Sequence, residues 1–139
     1  MTAVALTGIA GPELTGDSRS NDFYVAAARG ELLARRCVDC GHVLVPEART
    51  CSLCTGQTLE WTRVAGTGTL VSWAVVHQAP LPAFGEQVPF TVGIVELTEG
   101  PWLQVRIVHR DVALKVGMPL AVAFVRPDQG EAYPVFIPA

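Results

Sequence analysis

Residues 37–54 read CVDCGHVLVPEARTCSLC and contain all four cysteines of the chain, in two Cys-x-x-Cys pairs. The pairs are Cys37/Cys40 and Cys51/Cys54, with ten residues between them. Two residues between cysteines let both thiolates point into one tight turn whose backbone amides donate to the sulfurs. Gly41 follows the first pair and can adopt the positive φ that such a turn needs. Two turns of this kind make one tetrahedral site.

This spacing matches a zinc ribbon or a rubredoxin-like pair of knuckles. Four thiolates at about 2.3 Å fill the coordination sphere of Zn²⁺ and leave no position for water, so the site is predicted to be structural. A redox dithiol would need only one pair, and disulfides are disfavoured in a reducing compartment. We therefore predict one zinc ion, held by Cys37, Cys40, Cys51 and Cys54. His42 is interpreted as a surface residue, because four sulfurs already complete the sphere.

The composition favours a mostly β protein. Half of the 139 residues are apolar and 17% are charged, which allows a buried core. The 13 glycines and 10 prolines interrupt helices and favour short strands. The net charge of −3 is opposite to what a nucleic-acid partner requires. Lys115 is the only lysine, and a basic set made almost wholly of arginine suits phosphate or carboxylate ligands.

Three parts are expected along the chain. Residues 1–20 show no sustained period and are interpreted as a flexible tail or a partner-contacting arm. Residues 21–60 contain a short helix and the zinc ribbon, with Asp22 as the cap of a helix over Phe23–Arg29 and Gly30 as its end. Residues 61–139 form the third part. No segment approaches the roughly 20 apolar residues of a membrane span, and no basic residue precedes Arg19, so we expect a cytoplasmic protein without membrane contact.

The third part contains five short apolar runs separated by turn-forming residues. A long Pro-rich loop, residues 78–89, follows the first run. Five strands with one long early loop predict a small Greek-key barrel of the OB type, with an SH3-like barrel or an open sandwich as the alternatives. The predicted strands are Thr69–His77, Phe90–Leu97, Trp102–Val108, Leu120–Val125 and Tyr133–Ile137.

No catalytic residues are assigned. The triplet His109-Arg110-Asp111 also occurs in the catalytic loop of protein kinases, but none of the accompanying kinase motifs is present, so we interpret it as chance. The segment Gly66-Thr67-Gly68-Thr69 lacks the ending of a phosphate loop and is expected to bend the chain into the barrel. With every cysteine committed to metal, a self-sufficient active site is not expected.

The order of these motifs resembles a known family of zinc-ribbon plus OB-fold proteins associated with acyl-CoA, domain of unknown function thirty-five. The resemblance covers about residues 23–136. The matching stretches are Gly30-Glu31-Leu32, Arg36-Cys37-Val38-Asp39-Cys40-Gly41, Cys51-Ser52-Leu53-Cys54, Gly66-Thr67-Gly68-Thr69-Leu70-Val71-Ser72 and Pro89-Phe90. The residues at 46–49 are Pro-Glu-Ala-Arg where the family often has Pro-Pro-Arg, and this departure involves no predicted ligand.

The resemblance implies a fold class and a function. The fold would be mostly β, with a short N-terminal helix, a four-cysteine zinc ribbon and a five-stranded OB-fold barrel. The function would be that of a non-catalytic accessory subunit in a hetero-oligomer, packing on a thiolase-like enzyme such as a condensing enzyme or a sterol side-chain aldolase. It would also help to hold the acyl-CoA. The alternatives are a nucleic-acid-binding ribbon plus OB-fold protein, which needs basic residues interleaved with aromatics, and an independent hydrolase or thioesterase.

We expect the acyl-CoA and the partner to contact the chain around the long loop. Loops at a barrel mouth are where OB folds usually bind ligands, and this loop carries Phe84 and ends at Phe90, close to His77. Arg106 is the predicted phosphate ligand, because an arginine among apolar strand residues needs an anion or solvent. Ordinary solvent exposure of His77 and Arg106, and a loop folded back over the barrel, are the alternatives.

Overall fold

The computed structural model describes Asp17, residues 19–78 and residues 88–139, together with the backbone of Val4–Leu6. In the described part there is one helix, α1 (Asn21–Ala28), and the rest of the regular structure is β. No described helix is long and apolar enough to cross a membrane.

Helix α1 begins two residues earlier than expected. Ser20 occupies the N-cap position and Asp22 lies in the first turn, so the prediction of Asp22 as the cap is wrong. The carboxylate of Asp17 instead accepts hydrogen bonds from the Ser20 hydroxyl and from the Ser20 and Arg19 amides, at 2.9–3.0 Å, and these bonds lower the pKa of Asp17. The Asp17 carboxylate therefore closes the turn that leads into the helix, and no side chain caps the amides of the first helical turn.

The far end of α1 stops at a glycine, as predicted. Gly30 has φ +79° and donates its N–H to the carbonyl of Ala27. The guanidinium of Arg126 donates to the carbonyl of Ala28 at 2.5 Å, which ties the helix end to the distant C-terminal strands.

The ribbon is a three-stranded antiparallel sheet. Its strands are β2 (Leu32–Cys37), β3 (Val43–Leu44) and β4 (Leu59–Val64), in the order β3-β2-β4. The register pairs Leu32 with Val64 and Cys37 with Leu59. This sheet therefore carries the metal-binding turns at one end and reaches the barrel at the other.

The barrel has five strands, and the predicted fold class is confirmed. They are β5 (Thr67–Val76), β6 (Phe90–Leu97), β7 (Trp102–Ile107), β8 (Pro119–Val125) and β9 (Tyr133–Pro138). They close in the order β5-β6-β7-β9-β8-β5, with β7 and β9 parallel and every other neighbouring pair antiparallel. This Greek-key order is that of an OB fold. All five predicted strand bounds lie within two residues of those observed.

One hydrophobic core serves both modules. Phe124 and Phe136 fill the barrel interior, and Ala27, Leu32 and Val64 from the helix and ribbon belong to the same buried cluster. Burying such side chains contributes about 1.5–3 kcal/mol each for the larger ones, so the ribbon and the barrel stabilise each other.

The expected tail contains one element. The backbone of Val4–Leu6 forms a short strand, β1, that pairs in parallel with Ala123–Val125 of β8. This strand was not predicted within the segment interpreted as a tail or arm. Three residues are too few to show a period in the sequence, and the pairing depends on a strand more than a hundred residues away.

Gly68 in β5 is expected to be irreplaceable. A Cβ at this position would overlap the carbonyl oxygen of Glu96 and would lie 2.7 Å from Val95 Cγ1, both on the neighbouring strand β6. Because the nearest atom belongs to the backbone, Gly68→Ala should lower the free energy of unfolding by about 2–3 kcal/mol. Urea denaturation measures this, with Thr69→Ser as an exposed control expected within about 0.5 kcal/mol of wild type. An unchanged midpoint for Gly68→Ala would contradict the register of β5 against β6.

Candidate metal centre and ligand cleft

Each Cys-x-x-Cys pair lies in a tight turn closed by backbone hydrogen bonds. In the first turn the Gly41 amide donates to the Cys37 carbonyl at 2.8 Å, and in the second the Thr55 amide donates to the Cys51 carbonyl at 2.9 Å. Gly41 has φ +78°, as the sequence predicts, and Thr55 has φ +64°. A β-branched residue in the left-handed region is strained, so the second turn adopts a conformation that its sequence does not favour.

The two turns bring the four sulfurs together. Cys37 Sγ lies 3.6 Å from Cys54 Sγ, and Cys40 Sγ lies 3.6 Å from Cys51 Sγ. All four atoms lie within 4.8 Å of one another. A regular tetrahedron with Zn–S bonds of about 2.3 Å has sulfurs about 3.8 Å apart, so the geometry fits one metal ion. The sulfurs are too far apart for disulfides, whose S–S bond is about 2.05 Å long. A redox dithiol would use only two of the four cysteines.

The surroundings favour a rigid site. Cys37 and Cys51 are fully buried and pack with Leu44, whereas Cys40 and Cys54 are exposed. Backbone amides hold the Cys51 sulfur: hydrogen bonds from the Cys54 and Leu53 N–H groups, the first being the stronger influence, lower the pKa of Cys51 to about 7. The zinc ion would be held by four sulfurs and would supply rigidity rather than chemistry.

A cleft of about 510 Å³ lies where α1, the ribbon and the barrel meet. Four arginines from separate parts of the chain line it: Arg19, Arg35, Arg49 and Arg106. Its aromatic lining consists of Phe23, Tyr24, Trp61 and Tyr133. Two acidic residues, Asp17 and Glu47, also line it, and the Asp17 carboxylate is held by the turn before α1. The cleft therefore combines positive charge with flat apolar surfaces.

Arg35 and Trp61 form the wall of the cleft on the ribbon side. They are directly opposite each other on β2 and β4, and the guanidinium carbon lies 3.4 Å from the indole ring centroid. Arg35 Nε also donates to the carbonyl of Pro46 at 3.3 Å. Burial, followed by the charge of Arg19, lowers the pKa of Arg35. The stack orients the Arg35 guanidinium and the Trp61 indole in the absence of a ligand.

The predicted acyl-CoA contacts are only partly brought together. Arg106 lies over Phe90 at 5.4 Å, and both line a depression of about 220 Å³ with His109 and Arg110. Phe90 pairs with Val76, so His77 follows the paired residue at the exposed end of β5. Phe84 lies outside the described residues. The ligand role of His77, Phe84, Phe90 and Arg106 stays a prediction.

His109 and His42 make hydrogen bonds that hold the local backbone. His109 Nδ1 lies 2.9 Å from the Val112 carbonyl oxygen, and Nε2 lies 3.0 Å from the Thr91 hydroxyl. A ring protonated on Nδ1 donates to the carbonyl and accepts from Thr91, so His109 holds a turn. His42 is exposed and its carbonyl accepts the Cys37 amide.

Sequence reasoning did not find the cleft around Arg35 and Trp61. The two residues are 26 positions apart, and only the register of β2 against β4 places them together. The available signal was the arginine-rich composition, which indicated an anionic ligand without locating it.

Comparison with known proteins agrees with this architecture. Residues 25–60 match the family model "ChsH2, rubredoxin-like zinc ribbon domain", and residues 61–125 match "ChsH2, C-terminal OB-fold domain". A DUF35 domain-containing scaffold protein of Methanocaldococcus jannaschii is 33% identical over 97 residues, which cover 68% of each chain. The chain belongs to the DUF35 family. The resemblance found in the sequence is thereby confirmed.

Two other proteins are similar over more of the chain. A probable enoyl-CoA hydratase alpha subunit of Thermomonospora curvata is 34% identical over 124 residues, which are 88% of this chain but only 38% of that relative. This chain therefore spans well under half the length of that protein. Among solved structures, a chain of an "Ltp2-ChsH2(DUF35) aldolase" superposes with a TM-score of 0.72 at 31% identity, covering 88% of this chain and 96% of that one.

Proposed function

We propose that this DUF35 chain is a non-catalytic accessory subunit of an acyl-CoA-processing complex. It would pack on a thiolase-like enzyme, either a condensing enzyme or a sterol side-chain aldolase, and would help to hold the acyl-CoA. The observation that carries the proposal is its similarity to the DUF35 chain of a two-protein aldolase, which it covers almost completely. The scaffold names of its archaeal relatives support the same role.

The metal centre supports a structural role for the ribbon. All four cysteines converge on one site, and four sulfurs leave Zn²⁺ no open position at which to activate water or a thioester. The thiols are thus unsuited to nucleophilic catalysis once the metal is bound. Carbon–carbon bond chemistry belongs to the partner in this proposal. The reducing cytoplasm, where thiolates remain available for metal, is the proposed location.

The cleft supports a nucleotide-containing ligand such as an acyl-CoA. Coenzyme A carries phosphates and a flat adenine, and the cleft offers four arginines beside aromatic rings. Arg106 lines both the cleft and the smaller depression next to Phe90, so it lies between the two. We propose that Arg106 contacts a CoA phosphate, with Phe90, His77 and Phe84 on the side of the long loop.

Interleaved arginines and aromatic rings also occur in proteins that bind single-stranded nucleic acid. The net charge of −3 and a cleft of about 510 Å³ favour one small ligand over a long polyanion. Titration of the chain with a single-stranded oligonucleotide distinguishes these functions. Oligonucleotide binding tighter than CoA ester binding would favour the alternative.

Replacing Arg106 should weaken ligand binding. A charge-assisted hydrogen bond contributes about 1.5–3 kcal/mol, so Arg106→Gln should raise the Kd for acetyl-CoA about 10- to 100-fold in calorimetric titration. Arg63→Gln is the matched control, because Arg63 is 71% exposed and lies outside the cleft. Equal affinities for the two variants would remove Arg106 from the proposed site.

A further inference from the structure

Positive charge is concentrated in the cleft of about 510 Å³ between α1, the ribbon and the barrel. Four arginines line it against two carboxylates, Asp17 and Glu47, although the whole chain has a net charge of −3. Within the described part of the chain, the arginines that form salt bridges lie outside the cleft: Arg29, Arg36 and Arg63. A cleft with more cations than anions favours a ligand that carries more than one negative charge.

Two of the cleft arginines are neighbours. Arg19 precedes α1 and Arg35 lies in β2, and Arg35 Nη2 donates to the Arg19 carbonyl oxygen at 3.4 Å. Neither forms a salt bridge with a described residue, and the Asp17 carboxylate already accepts hydrogen bonds within its own turn. Guanidinium groups donate paired N–H groups to phosphate oxygens, so this pair suits a phosphate group.

Flat groups lie beside this pair. The Arg35 guanidinium carbon is 3.4 Å from the Trp61 ring centroid, and the Trp61 and Phe23 centroids are 6.2 Å apart. The rings of Phe23 and Tyr24 meet edge to face at 5.3 Å. All four residues line the cleft and are half-buried. Guanidinium planes and aromatic rings both stack on nucleobases, so this part of the cleft suits a nucleotide.

Arg106 gives a bound nucleotide its direction. It lines the cleft and also the depression of about 220 Å³ next to Phe90, whereas Arg19, Arg35 and Trp61 line only the cleft. A base held against Arg35 therefore leaves the rest of the molecule to run past Arg106 toward Phe90. Coenzyme A has this order of groups, because its 5′-diphosphate lies between the adenosine and the pantetheine arm. Its 3′-phosphate lies on the ribose, away from that arm.

We propose that Arg19 and Arg35 bind the 3′-phosphate of an adenine nucleotide whose base stacks on the Arg35 guanidinium. The inference rests on the proposed function and deepens it. In that function Arg106 contacts a CoA phosphate, which this direction assigns to the 5′-diphosphate, and the pair on the ribbon side distinguishes CoA from dephospho-CoA and from ADP. Two separate groups of arginines thus match a ligand with phosphate at two positions of one ribose.

The test compares CoA with 3′-dephospho-CoA, which differ only in that phosphate. In calorimetric titration the wild-type chain should bind CoA at least about tenfold more tightly than dephospho-CoA. Arg19→Gln changes an exposed side chain and should remove most of this preference by weakening CoA binding alone. Arg35→Gln should weaken the binding of both ligands, because it also removes the stacked plane.

Arg36→Gln is the matched control. Arg36 is the next residue of β2, but it is exposed, lies outside the cleft and pairs with Glu60 at 2.8 Å. An exposed ion pair contributes little, so this variant should keep both affinities within about twofold of wild type.

Equal affinities of the wild-type chain for CoA and dephospho-CoA would overturn the inference and leave the proposed function intact. A preference for CoA that Arg19→Gln leaves unchanged would do the same. Tighter binding of ADP than of CoA would assign the cleft to a free nucleotide and would also overturn the inference. Failure of the wild-type chain to bind either CoA or dephospho-CoA would contradict both the inference and the proposed holding of acyl-CoA.

Discussion

Removal of zinc should unfold the ribbon and with it much of the protein. Binding of Zn²⁺ to small tetrathiolate modules is coupled to folding by about 10–16 kcal/mol, which exceeds the whole stability of many domains. Among the described residues, the small hydrophobic cluster at the four-cysteine site has only three buried members, Cys37, Leu44 and Cys51. It cannot hold the turns together alone. Cys37→Ser should therefore reduce the bound metal from about one ion per chain to near zero and abolish cooperative unfolding of the ribbon.

The loss of folded structure on zinc removal should extend from the ribbon into the barrel. Leu32 and Val64 begin and end the ribbon strands but are buried in the same cluster as Phe124 and Phe136. Disorder of the ribbon would expose that side of the core to water. Thermal unfolding followed by near-UV circular dichroism should show a large drop in Tm for the whole chain, not for one module only.

His42→Ala is the control that distinguishes loss of a metal ligand from a general disturbance of the first Cys-x-x-Cys turn. His42→Ala changes an exposed residue directly after the first knuckle and should retain the metal and the wild-type Tm. Substitution of Co²⁺ into the wild-type chain gives a second measurement, since four thiolates around cobalt produce the visible bands of a tetrahedral site. Full metal content and wild-type folding in Cys37→Ser would show that the four sulfurs do not act as one site.

Local chemistry made the four-cysteine site and the bounds of the barrel strands predictable from the sequence. The Cys-x-x-Cys spacing and Gly41 specify a turn within a few residues. The barrel strands are continuous apolar runs between strong turn signals, so their bounds are set locally as well. The site and the fold class followed from these two patterns.

The missed features depend on contacts between distant residues. The Arg35–Trp61 stack depends on the pairing of β2 with β4, and β1 depends on the edge of β8. The helix begins before Asp22 because Asp17 closes a turn over Arg19 and Ser20 that leads directly into it, which places Ser20 at the N-cap. The positive φ of Thr55 is imposed by the second metal turn against the preference of its side chain. None of these features has a local pattern that reveals it.

Turnover of acyl-CoA should depend on the thiolase-like partner and not on this chain alone. The purified chain should turn over no acyl-CoA thioester, because its four thiols converge on the predicted zinc site and the proposed ligand site only binds. His109, the one histidine in the kinase-like triplet, holds a turn through Thr91 and the Val112 carbonyl. The thiolase-like subunit should carry the chemistry and should reach its full rate only when this chain is bound. Cys37→Ser should fail to restore that rate, whereas His42→Ala should restore it.

The most direct measurement of the accessory role compares three samples under one set of conditions. These are the purified chain, the thiolase-like subunit it captures, and the two together, each assayed for carbon–carbon bond formation or cleavage on an acyl-CoA. The accessory role predicts background turnover for the chain alone and a rate for the complex well above that of the subunit alone. Steady turnover by the single chain that survives a further purification step, or a subunit rate that the chain leaves unchanged, would contradict it.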